Sequence, residues 1–92
     1  MNRTEKRKEI VRSFCEFVEN EFKGFQIEDS EGGRMNITNP DKEFQFEFMR
    51  TGFYVLGYET YNALTDEENE EMETIEFLMN TFLDNKQKEL EF

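Results

Sequence analysis

The chain has 92 residues, with 22 acidic side chains against 11 basic ones and a formal charge of −11. That length suits one domain, and that field repels nucleic acid while attracting basic protein surfaces. There is no histidine and one cysteine, Cys15, which excludes an intramolecular disulfide, Ser-His-Asp and Cys-His nucleophiles and most zinc sites.

A core is available despite the charge. Eleven phenylalanines at about 150–250 Å² each supply it, and disordered chains are poor in aromatics. Ile10, Val11, Phe14, Cys15, Phe17, Val18 and Phe22 recur at three- and four-residue spacing, predicting an amphipathic helix that begins near Thr4 and stops at Gly24. Four short segments follow. Phe25 and Ile27 alternate with Gln26 and Glu28, and residues 29–33 supply a turn whose glycines tolerate positive φ. Met35 and Ile37 alternate with Arg34, Asn36 and Thr38, and Asn39-Pro40-Asp41-Lys42 is a second turn. The clearest strand is Glu43 to Phe48, with Phe44, Phe46 and Phe48 on one face and Glu43, Gln45 and Glu47 on the other. Thr51-Gly52 closes a hairpin onto a fourth strand, Phe53 to Tyr58. Both faces of that strand are apolar or aromatic, so its inward side stays open between Phe53/Val55 and Tyr54/Leu56/Tyr58. The short connections favour antiparallel neighbours.

Tyr61 to Leu64 leads into the last helix. Thr65 and Glu68 match a capping box, and Met72, Ile75, Leu78, Met79, Phe82 and Leu83 form its apolar stripe. Phe77 falls nearly opposite that stripe. The helix is expected to fray near Lys86 to Lys88, and the tail from Glu89 to Phe92 to be loose unless Phe92 docks. The fold class is therefore α+β: an N-terminal helix, a four-stranded antiparallel meander and a C-terminal helix, with both helices on one sheet face, in a single domain over residues 1–92.

Nothing in the pattern points to catalysis. Cys15 lies on an apolar arc and reads as an inert thiol. The stretch Asp66 to Phe77 lacks the central glycine and terminal glutamate of a calcium loop. Neither a phosphate-binding nor a dinucleotide-binding glycine motif is present. The expectation is a non-enzymatic protein with no metal and no cofactor. No apolar run is long enough for a signal peptide or membrane span, so the expected location is cytoplasmic, without membrane contact.

The charge distribution is informative. Residues 1–12 carry a net +3 and residues 13–92 a net −14. Pairs such as Glu5 with Lys8 and Glu9 with Arg12 can satisfy the basic segment locally. From Asp66 to Glu76, seven of eleven residues are carboxylates with no intervening base. The helix dipole explains Asp66, Glu67 and Glu68. It does not explain Glu70, Glu71, Glu73 and Glu76, whose mutual repulsion costs a few tenths of a kcal/mol per pair. The charged contacts for a partner are thus expected at Glu67, Glu70, Glu71, Glu73 and Glu76, with Phe77 as an anchor and Glu43 and Glu47 as a second patch.

In its size, its charge, the run Asp66-Glu67-Glu68-Asn69-Glu70-Glu71 and its helix-plus-meander layout, the chain resembles small acidic inhibitors of phages and mobile elements. These include anti-CRISPR proteins and other DNA mimics. The resemblance implies an inhibitor that binds a basic, nucleic-acid-binding protein without touching nucleic acid itself. The basic N-terminus departs from it. Alternatives are an immunity protein against a cationic nuclease toxin, and a small structural or adaptor domain whose acid is merely solvating.

Overall fold

The computed structural model describes residues 1–60 and 62–92; Tyr61, which the sequence places in the approach to the last helix, lies outside the described residues. The element order is α1 (Arg3–Glu21), β1 (Gln26–Asp29), β2 (Arg34–Thr38), β3 (Phe44–Met49), β4 (Tyr54–Glu59) and α2 (Asp66–Glu89). The strands form one antiparallel meander in the order β1-β2-β3-β4.

Local chemistry sets the ends of the helices. The side-chain oxygen of Asn2 accepts from the Glu5 backbone N–H at 2.8 Å and so starts α1 at Arg3. Thr65 and Glu68 form the expected reciprocal capping box on α2, at 3.0 and 3.1 Å. The first strand hairpin turns through Gly32 and Gly33, at φ 69° and 74°, where a side chain would be strained.

Register decides the faces of the sheet. Ile37 pairs with Phe46, and Phe48 with Val55. Phe44, Phe46, Phe48, Ile37 and Val55 therefore share the inner face, and all are buried. Both helices lie on this face. The Phe14 ring of α1 sits 4.4 Å from Phe48, and Phe17 stacks on Phe82 of α2 at 4.3 Å. The helices run antiparallel, since Arg3 at the start of α1 lies over the Phe92 ring just beyond the end of α2.

Helix α2 also lies along the outer edge of β4. The Asn80 side chain stands where another strand would be: Oδ1 accepts from the Val55 N–H at 2.8 Å, and Nδ2 donates to the Val55 carbonyl at 2.9 Å. Two residues along, the Gly57 N–H donates to a Glu76 carboxylate oxygen at 3.2 Å. The approach is close enough that a Cβ on Gly57 would meet Met72 Cε at 2.5 Å and the Phe46 ring at 3.1 Å.

Several details differ from the sequence expectation: α2 continues through Lys86 and Lys88 to Glu89, and Leu78, expected in its apolar stripe, is exposed. Glu43 precedes β3 rather than opening it. Phe53 does not begin β4; it closes the preceding turn at φ 55°, a conformation costing a bulky residue about 1–2 kcal/mol. Burial at 3% exposure, the Arg7 guanidinium 4.7 Å above the ring and Phe92 edge-on at 5.2 Å hold it there. Phe92 therefore packs against Phe53 and under Arg3, with part of its ring left exposed.

Candidate protein-docking surface

The acidic run lies on the first half of α2, and the fold gives its carboxylates different tasks. At 100° per residue, Glu70, Glu73, Phe77 and Asp84 fall within about 60° of one another, opposite buried Met79. All four are exposed, and Phe77 is 68% exposed. Glu67 is also exposed, on the flank where it lines a shallow depression with Glu70, Glu71, Thr74 and Ile75. No lysine or arginine among the described residues pairs with Glu67, Glu70 or Glu73.

The other candidate residues have intramolecular partners. Glu71 binds Lys42 at 2.7 Å and Glu47 binds Arg34 at 2.9 Å. Both pairs are partly exposed, where such bridges contribute about 0–1 kcal/mol, so their charge is reduced but not locked away. Glu76 is half-buried and accepts from the β4 edge; its first task is structural. Glu43 is exposed, with its backbone carbonyl accepting from the Thr60 hydroxyl at 3.3 Å. It sits just before β3, next to Lys42, which reaches Glu71 of α2. Glu68 is spent on the cap, where the Thr65 backbone N–H and then the Thr65 hydroxyl hold its carboxyl below the usual carboxylate range.

The sequence does not reveal the outer sheet face beside this ridge. Once Val55 points inward, Tyr54, Leu56 and Tyr58 must point outward, and they are 44%, 49% and 37% exposed. Met49, Glu47 and Gln45 lie directly across from them on β3. Burial, and then Glu47, push the Tyr58 phenol above its ordinary value. Tyr58 and Glu59 share a depression with Glu73, Glu76 and Asn69 across the β4 edge. The aromatic strand face and the acidic helix therefore meet in one surface. The available signal was the failure of alternation in β4, where three large apolar side chains recur at period two beside a glycine.

Among the described residues no group of three or more Cys, Asp or Glu side chains converges to hold a metal ion. Burial, followed by Glu19 and Asp29, pushes the Cys15 thiol upward and away from the reactive thiolate. No helix among the described residues is long and apolar enough to cross a membrane. No family model, curated protein or solved structure matches the chain.

Proposed function

We propose that this is a non-enzymatic inhibitor that docks the joined face of α2 and β4 on a basic, nucleic-acid-binding protein of the cytoplasm. One observation carries the reading: the exposed stripe Tyr54-Leu56-Tyr58 meets Glu73 of α2 across the β4 edge, and the helix surface continues from Glu73 through exposed Phe77 and Glu70 to Glu67, three carboxylates with no cation partner among the described residues. Interfaces concentrate their energy in a few aromatic anchors ringed by polar groups. The unpaired carboxylates repel one another along the helix, and an incoming cationic surface relieves that repulsion. They also steer encounter.

The mode combines the two contributions. Duplex DNA places one charge per about 1.7 Å of axis, whereas here Glu68, Glu71 and Glu76 are engaged within the fold. The remaining acid gives attraction and orientation, and the β4 stripe gives contact area. An immunity protein against a cationic nuclease would use the same face.

The test is affinity capture from the native host with the parent chain, with Glu67→Lys/Glu70→Lys/Glu73→Lys and with Leu56→Asp. The expected partner is basic and nucleic-acid-binding, is lost with either variant, and is released as salt rises past the range where the Debye length is about 8 Å. A partner retained equally by the charge-reversed chain overturns the reading. Glu76 is left untouched because its reversal would damage the β4 edge.

A further inference from the structure

The charge reverses at the other end of the molecule. Arg7, Lys8, Val11 and Arg12 of α1, with Arg50 and Phe53 of the β3–β4 turn, line an open groove of about 370 Å³. Two of its four cations are already answered: Arg12 by Glu9 and Glu16, and Arg50 by Asp29. Arg7 and Lys8 have no carboxylate partner among the described residues.

Arg7 is held ready for an anion. Its Nη2 donates to the carbonyls of Arg50 and Thr51 at 3.3 and 3.4 Å, and its guanidinium lies over the Phe53 ring. These contacts fix the group, remove no charge, and leave Nε and Nη1 free of any protein acceptor among the described residues. Lys8 is exposed beside it, and half-buried Val11 supplies an apolar wall, with Phe53 buried beneath Arg7. The acidic turn of α2 does not cancel this potential. It lies at the opposite end of a 24-residue helix, about 36 Å away at 1.5 Å per residue, several times the Debye length of about 8 Å.

We propose that this groove binds a small organic phosphomonoester, with its phosphate between Arg7 and Lys8 and its apolar body against Val11. A phosphomonoester carries about −1.5 to −2 at neutral pH and so neutralises both free cations, whereas a carboxylate neutralises one. Its three terminal oxygens also suit a guanidinium fork together with an ammonium. The site is independent of the docking face on α2.

The experiment is titration of the ¹⁵N-labelled full chain with phenyl phosphate, with benzoate as the matched monoanion. Phenyl phosphate should shift the amides of Lys8, Val11, Arg12, Arg50 and Phe53 saturably and bind about tenfold more tightly than benzoate. Lys8→Glu, at an exposed position with no partner to lose, should weaken phenyl phosphate binding about tenfold while leaving the rest of the spectrum in place. Glu67→Lys/Glu70→Lys/Glu73→Lys should bind it like the parent. Absence of saturable shifts, equal affinity for benzoate, indifference to Lys8→Glu, or tighter binding of a short DNA duplex at the same amides would each overturn the proposal.

Discussion

Asn80 offers the sharpest test of how the sheet is completed. Both of its side-chain hydrogen bonds go to Val55, a residue only 1% exposed. Truncation to alanine leaves an N–H and a carbonyl at the β4 edge with little access to water. Each neutral bond contributes about 0.5–1.5 kcal/mol net, and a buried group left unmade costs more, so a loss of about 2–3 kcal/mol is expected. For a domain of this size, each kcal/mol moves the melting temperature by about 4–8 °C. Thermal unfolding followed by circular dichroism should therefore show a fall of about 8–24 °C. Hydrogen exchange should show loss of protection at the Val55 amide. Asn80→Asp keeps an acceptor for the N–H but sets a carboxylate against the Val55 carbonyl, and should be no better than alanine. Asn85→Ala, exposed on the same helix, is the control and should stay within about 0.5 kcal/mol. If Asn80→Ala matched that control, with Val55 exchange unchanged, α2 would not be acting as a surrogate strand.

Other perturbations probe separate contacts. Gly57→Ala should cost about 1–3 kcal/mol by overpacking, and less in a Met72→Ala background because the Met72 methyl is the first atom met; a double-mutant cycle in urea checks the coupling. Phe53→Gly removes the positive-φ strain of about 1–2 kcal/mol but also a buried ring whose loss costs about 3–5 kcal/mol, so net destabilisation of about 2 kcal/mol is expected, and a stabilised variant would contradict the packing described. Glu68 has its folded pKa depressed by the cap; its contribution is present above the unfolded carboxylate value and is lost as pH falls through the folded one. Carbon-detected titration should place its midpoint below the ordinary carboxylate range, and Glu68→Gln, which preserves the capping geometry, should make the first turn of α2 less sensitive to acid.

Local chemistry was legible in the sequence and long-range chemistry was not. The alternation of Phe44, Phe46 and Phe48, the Thr65–Glu68 box and the Glu9–Arg12 pair involve neighbours within a few residues, and their partners are fixed by helix or strand period. Strand β4 was opaque because Gly57 occupies an inward position while tyrosines and leucine occupy outward ones, which inverts the usual polarity. Its inward face needed the register to β3. The partners of Glu71, Glu76 and Asn80 come from the β2–β3 connection and from β4, so no helical wheel could separate a structural carboxylate from a free one. The same holds for Arg7, whose aromatic partners Phe53 and Phe92 are far from it in the chain.

The backbone edge of β4 that Asn80 and Glu76 occupy has a consequence for how anything else can join this molecule. Sheet growth by an added strand is obstructed on that side, since Val55 spends both its N–H and its carbonyl, and Gly57 its N–H, on side chains of α2. It is left to β1, a four-residue strand ending in Glu28 and Asp29, where a second acidic copy would meet like charge. Recognition on the α2 side must therefore be written in side chains alone, and substitutions there can change the choice of partner without reopening a template for polymerisation.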